Sequence, residues 1–511
     1  MKEKYVKIII SIFLIFLFIA SNSNAMKISK NFEKKVYNSL IGDIDPTIDI
    51  ELIFTVQKIR AFDQLDKYSD PDFYVKLIID EQEYMSPVWE NQKVVKQEWQ
   101  QNINIPDNQE NVYILLQLWE KDPGKDTLCD IAKNDNNNPD RYDLLLNYST
   151  KTGHWTGDDF ISPEHNWLPD YSGYGRGSGT DDNTIYENDK DCEIWFDIKQ
   201  TDSDGDNIPY WTEVNIFKTD PEVDDSKTDP DCDGITTDWE FKWGYRYYYD
   251  HSDHEWKYYW QYSPFEWNDH KNLDPDHDSI DNYEEFLTSE WFSDPYRKDI
   301  FVELDEMDSG PNGEPASILP DASKELITEA FNRQNIVFHL DDGEMGGSER
   351  IPFNNTDGVT ERRECDVFYQ KYFLHNDENN WKKGVFHYGL LIYNASWAGY
   401  CFRQDAFQIS YQDLEEINKK LLTGPRDIIY ASDYMHELGH SLGLMWLGGH
   451  EQGSGNLNNP LWIKFRPYRS VMNYAYMYGL FYRNLVDYSD GSRGKNDYDD
   501  WNNIDFTYFD R

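Results

Sequence analysis

Asp427-Ile428-Ile429-Tyr430-Ala431-Ser432-Asp433-Tyr434-Met435-His436-Glu437-Leu438-Gly439-His440-Ser441-Leu442-Gly443 sets two histidines one helical turn apart with a glutamate beside the first. On a helix His436 and His440 share a face, so both imidazoles can reach one Zn²⁺. Glu437 then stands where it can take a proton from a zinc-activated water attacking a carbonyl, and return it to a leaving amine. Working outward, residues 299–511 read as alternating strands and helices: Asp299–Leu304 a strand, Ala322–Asn332 a helix, Ile336–Leu340 and Phe386–Asn394 strands.

Gly443 closes the histidine helix, and Ser470-Val471-Met472-Asn473-Tyr474 follows downstream. Together the two motifs resemble the metzincins, zinc peptidases with a Met-turn below the metal. The resemblance implies an α+β zinc peptidase domain over residues 299–511, with Met472 as the apolar floor beneath the metal. It also implies that Tyr474 binds the resting zinc or stabilises an oxyanion. The family's third-ligand position falls on Trp446, whose indole cannot bind zinc, so His450 after Gly448-Gly449 takes the role. Glu451 is the alternative, and Asp487 is conceivable without a supporting motif.

Upstream lies an internal repeat. Asp202, Asp204, Asp206, Ile208 and Glu213 recur at identical offsets as Asp229, Asp231, Asp233, Ile235 and Glu240, and again as Asp274, Asp276, Asp278, Ile280 and Glu285. Carboxylates at the first, third and fifth positions with a Glu at the twelfth wrap one Ca²⁺, provided the backbone turns back between them. That turn falls at Asn207, Gly234 and Ser279, of which Ser is the least suited to a left-handed backbone. The loops, with Thr219-Asp220-Pro221 and Ser293-Asp294-Pro295 after them, resemble thrombospondin type 3 repeats and define a calcium-binding segment over 201–298. An aromatic insertion between Trp243 and Trp267 interrupts it, read as a packed core in preference to an exposed platform for sugars or a partner.

Residues 47–200 alternate as strands do, in Ile48–Val56, Phe73–Ile79 and Val112–Trp119, and predict an antiparallel β-sandwich. Its loops carry Asp66 and Asp70, then Glu120, Asp122 and Asp126, which can converge on Ca²⁺. The phrasing around Ser69-Asp70-Pro71 and Trp119-Glu120 resembles a C-two-type domain, the calcium-dependent lipid-binding sandwich. Gly173 to Gly179 reads as a flexible connection.

The N-terminus fixes the expected compartment. Lys2, Lys4 and Lys7 precede an apolar run from Ile8 to Ala20, and Ser21-Asn22-Ser23-Asn24-Ala25 ends in small residues. This is a signal peptide over 1–25, with a linker over 26–46. The net charge of −47 over 511 residues argues against nucleic acid as a partner and asks what balances the carboxylates. Five cysteines are too few for a disulfide scaffold, and pairs Cys129–Cys192 and Cys365–Cys401 are a guess that keeps each bridge within one domain.

The expectation is a secreted, multidomain, calcium-stabilised zinc endopeptidase acting on extracellular proteins or peptides, with membrane contact confined to the C-two-like sandwich. Its rival is a non-catalytic, calcium-dependent surface or adhesion protein with a degenerate zinc site.

Overall fold

A computed structural model describes residues 43–133, 141–159, 175–180, 189–343, 345–355, 362–420, 424–445, 450, 460–478 and 485–510. The signal segment, most of the linker, and Trp446, Gly448, Gly449 and Glu451 lie outside the described residues.

Two antiparallel sheets form the N-terminal unit. In one, Glu51–Ala61 runs between Cys192–Gln200 and Trp99–Asn104, with Arg176–Ser178 on the outer side of Cys192–Gln200. In the other, Asn111–Glu120 lies between Phe73–Ile79 and Leu144–Ser149. Side chains alternate across a strand, and here every second one is apolar: Leu52, Phe54 and Val56 meet Val112, Ile114, Leu116 and Leu118 in one core. The first strand begins at Glu51 rather than Ile48.

The C-terminal unit is a sheet in the order Val337–Asp341, Asp299–Met307, Phe386–Ile392, Ala406–Ser410, Gly399–Cys401. The first four strands are parallel and the last is antiparallel at the edge. Parallel strands must be covered on both faces, which explains why they read as nearly unbroken apolar runs. Ile300, Val302 and Leu304 pack towards helices Asp321–Arg333 and Arg426–Ser441, whereas Phe301 packs with Phe373, Phe386 and Tyr388 on the other face.

Between these units the insertion forms a hairpin, Tyr245–Asp250 with Glu255–Trp260. The packed reading holds only at its base, where Tyr245 stacks on His154 and Trp260 on Phe241. Trp256 near its tip, Tyr259 on the outer face and Trp267 beyond it are 48%, 49% and 61% exposed.

The Gly-rich stretch is not a flexible connection from Gly175 on, since Arg176–Ser178 is a fully buried strand. A Cβ on Gly177 would lie 2.4 Å from Leu144 and 2.8 Å from the Ile131 carbonyl. The glycine there permits close approach, not motion. Arg176 is the hub of the contact between the units: it donates to Glu193, to Asn335 Oδ1 and to the Asn332 carbonyl, while Arg60 pairs with both Glu193 and Glu325. Burial alone would raise the Glu193 carboxyl, but Arg176, Arg60 and Lys58 outweigh it and hold it at about 2.

All five cysteines are thiols. Cys129 and Cys192 lie side by side. The Cys365–Cys401 pairing is not formed: Cys365 meets the Tyr400 hydroxyl and Cys401 donates to the Glu437 carbonyl at 3.2 Å.

Removing Glu193 leaves Arg176 buried without its counter-charge and Arg60 with Glu325 alone. Glu193→Ala is therefore expected to cost about 3–5 kcal/mol in urea-induced unfolding; a loss under about 1 kcal/mol would show that this ion cluster does not hold the two units together.

Candidate metal centres

Helix Arg426–Ser441 starts behind Pro425 and ends where Gly443 takes a left-handed backbone at φ +79°, with the Leu444 amide closing on the Gly439 carbonyl. It carries His436 and His440 on one face, as predicted. The chain then returns to place His450 opposite them. His450 Nε2 lies 3.2 Å from His436 Nε2 and 3.0 Å from His440 Nε2.

At most one of these contacts can be an ordinary hydrogen bond, donated by His450. His436 Nδ1 faces the Val471 carbonyl at 2.8 Å and His440 Nδ1 the Leu444 carbonyl at 2.9 Å, which fixes the proton of each neutral ring on Nδ1. Their Nε2 atoms therefore present lone pairs to one another and to His450. Burial lowers all three imidazoles, His440 and His450 to about 4, so protonation does not relieve the clash. Ligand nitrogens at about 2.0–2.1 Å from a tetrahedral zinc stand about 3.3 Å apart, close to the spacing here. The donor set fits a borderline cation such as Zn²⁺.

Met472 lies directly under the helix, where a Cβ on Gly439 would come within 2.6 Å of its sulfur. The Tyr474 amide donates to the His450 carbonyl at 3.2 Å, and the Tyr474 ring packs 5.1 Å from His436 and 4.8 Å from His450. Glu437 is 6% exposed, and burial, then Asp433, pushes its carboxyl well above the usual range. The edge strand comes so near that a Cβ on Gly399 would lie 2.7 Å from Glu437 Oε1. Asp487 is not at this site: its Oδ1 accepts from Trp501.

The repeat loops share one backbone geometry. Left-handed residues recur in pairs at Gly205 and Asn207, Cys232 and Gly234, His277 and Ser279, so even the serine adopts the turn. In each loop the first Asp accepts amides across the turn: Asp202 from Asn207, Asp229 from Gly234 and Asp274 from Ser279. The fifth-position Asp accepts from the buried Ile that follows, at Ile208, Ile235 and Ile280. Each closing glutamate is fully buried with an oxygen that accepts no hydrogen bond, at Glu213, Glu240 and Glu285. Asp204, Asp206, Asp231 and Asp276 each have one buried oxygen that likewise accepts no hydrogen bond among the described residues. Burial, then neighbouring aspartates, raises Glu213 to about 8 and Asp206 to about 7.

Distant residues complete the loops, and no local spacing revealed them. Asp225 joins the first, its charge acting on Asp204, Asp206 and Glu213. Asp299, the first residue of the C-terminal sheet, donates its amide to Asp278 Oδ2 at 2.7 Å and, with Asp294, completes the third. His270 meets Asp233 and Glu240 in the second.

At the sandwich tip Asp66, Glu120 and Asp122 bring carboxylate oxygens together. Asp126 instead accepts the Tyr74 hydroxyl at 2.8 Å, and Asp70 is exposed, its amide turned to Asn91. Near Asp341 the cation is built in: the carboxylate accepts Lys382 Nζ along with the amides of Gly343, Met345 and Gly347.

No family model matches this chain, and no curated protein matches it. Solved structures do. A structure titled "Structure of a C2 domain" is 12% identical, covering 30% of this chain and 98% of its own, at a TM-score of 0.17. A domain of plant extended synaptotagmin 1 is 10% identical, over 30% and 96%, at 0.17. Human GIVD cytosolic phospholipase A2 is 12% identical over 30% of this chain, which spans only 18% of that protein, at 0.17. Scores this low carry no argument; the sandwich stands on its own two sheets.

The raised carboxylates set a pH dependence for the metal-free protein. Folded, Glu213 keeps its proton to about pH 8 and Asp206 to about pH 7, whereas the unfolded chain releases both near pH 4. The native state thus binds more protons than the unfolded state across that window, and stability falls as pH rises through it. The midpoint of thermal unfolding in chelator should drop between about pH 5 and about pH 8, and divalent cations should remove the drop. A flat chelated profile would mean the loops do not carry uncompensated charge.

Proposed function

We propose that this chain is an exported zinc endopeptidase of metzincin type whose acidic loops hold calcium. The observation that carries the reading is the convergence of the Nε2 atoms of His436, His440 and His450, with Glu437 next to His436 on the same helix. His436, His440 and His450 would hold a zinc ion, which when bound would supply a Lewis acid to lower the pKa of water and polarise a carbonyl.

The protein's own groups do the rest. Glu437, whose Oε2 has no hydrogen-bond donor, takes the proton of the attacking water and delivers it to the departing amine. Tyr474, 45% exposed beside the His436 ring, offers a hydroxyl to the oxygen on which charge develops. Gly399–Cys401 is the outermost strand of the sheet, and an extended peptide can add to such an edge through backbone hydrogen bonds. Because Gly399 abuts Glu437, a peptide lying there has a backbone carbonyl within reach of the base. The substrate class that follows is an extended segment of an extracellular protein or peptide.

Export agrees with the apolar leader at Ile8–Ala20 and with loops suited to calcium, which is abundant outside cells. Membrane contact, if the sandwich makes any, falls to the end bearing Asp66, Glu120 and Asp122.

Glu437→Gln should lower casein cleavage by about 10²–10⁴-fold while the purified variant retains zinc. Cleavage equal to wild type would sink the assignment, and a wild type without zinc would favour the adhesion reading.

A further inference from the structure

We propose that the second acidic loop is a mixed-donor site in which His270 is a metal ligand, so that it takes a divalent transition ion of the zinc class where the first and third loops take calcium. The proposal rests on reading the loops as cation sites but is independent of the peptidase activity.

The three loops have the same backbone turn and differ in what reaches them from outside. Carboxylates close the first and third: Asp225 in one, Asp294 and Asp299 in the other. Around the second, the chain returning from the aromatic hairpin anchors its Asn268 amide on Asp233 Oδ2 at 3.1 Å and turns at His270–Asn272. The His270 ring is wedged edge-on between Trp239 and Tyr262, at 5.6 and 5.1 Å.

In that position His270 Nε2 lies 3.2 Å from Asp233 Oδ2 and 3.8 Å from Glu240 Oε1, all three side chains having no exposed surface. Neither Nε2 nor either Glu240 oxygen makes a hydrogen bond of proper geometry, and a buried oxygen of Asp231 is likewise unpartnered. Polar atoms buried this way cost free energy unless something shared satisfies them. One cation among them does so.

The opposite side of the ring can supply the required tautomer. His270 Nδ1 faces Asn282 Nδ2 at 3.1 Å, and the buried Asn282 Oδ1 accepts no hydrogen bond among the described residues. Turning that amide over brings Oδ1 to the ring, so that Nδ1–H donates to it and Nε2 is left with the lone pair that a metal needs.

Ligand chemistry then selects the ion. Calcium is a hard cation that collects six to eight oxygens, whereas imidazole nitrogen suits zinc and its neighbours. One imidazole with Asp231, Asp233 and Glu240 is a compact N/O set of the second kind.

The test uses the full chain with His436→Ala, which removes the histidine cluster of the helix. After dialysis against calcium with trace zinc, metal analysis should find about one zinc per chain. Adding His270→Gln should abolish it. Adding His270→Asp, which restores an all-oxygen shell, should exchange that zinc for one further calcium, a gain that misfolding cannot mimic. A His436→Ala protein without zinc, or zinc that survives both His270 substitutions, overturns the proposal. If the peptidase reading alone fails, wild type and His436→Ala hold equal zinc while the His270 dependence stands.

Discussion

Glu213, Glu240 and Glu285 are buried almost completely, each with a carboxylate oxygen that none of the described residues satisfies. Taking an ionised carboxylate out of water costs several kcal/mol unless an opposite charge shares the site. Elsewhere the chain supplies that charge itself, with Arg176 and Arg60 at Glu193 and Lys382 at Glu303 and Asp341. Among the described residues no Lys or Arg pairs with the ligand carboxylates of the first two loops, and the third receives only Arg297, against Asp294. The histidine centre is the same constraint in another form, lone pairs in place of negative charges. A cation would relieve either arrangement, and the loop carboxylates make up part of the net charge of −47.

The constraint links the units. Asp299 opens the first strand of the C-terminal sheet and donates its amide to Asp278 of the third loop. That strand is hydrogen-bonded to Phe386–Ile392, which is paired with Ala406–Ser410 and through it with the edge strand beside Glu437. On its other side, helix Asp321–Arg333 receives the sandwich through Glu325 and Asn332, with Asn335 just beyond its end, and packs against the helix that carries the histidines. The third loop is thus joined through packed elements to the edge strand beside Glu437.

How much of this was legible in the sequence follows from how local each signal is. The loops were readable because their hydrogen bonds span five residues and force a fixed spacing, from Asp202 to Asn207 and equally in the other two. The strands were readable because apolar residues alternate at Leu52, Phe54 and Val56, and run continuously in the buried parallel sheet. His450 was readable only as the nearest histidine to the helix; its approach to His436 and His440 is a property of the fold. Asp225, Asp294, Asp299 and His270 could not be assigned, since each reaches its loop through tertiary contact. Composition misled at Arg176–Ser178, where glycines that look like a flexible tether are needed for close packing against Leu144 and Ile131. The aromatic insertion divided between the two readings, packed at Tyr245 and exposed at Trp256.

Anomalous diffraction at the zinc edge, from crystals grown with zinc and calcium, addresses the central claim directly. The account predicts a zinc peak about 2.0–2.1 Å from Nε2 of His436, His440 and His450, with an open position facing Glu437. A map with no zinc between the three imidazoles, or with one of them turned away from the other two, would contradict it.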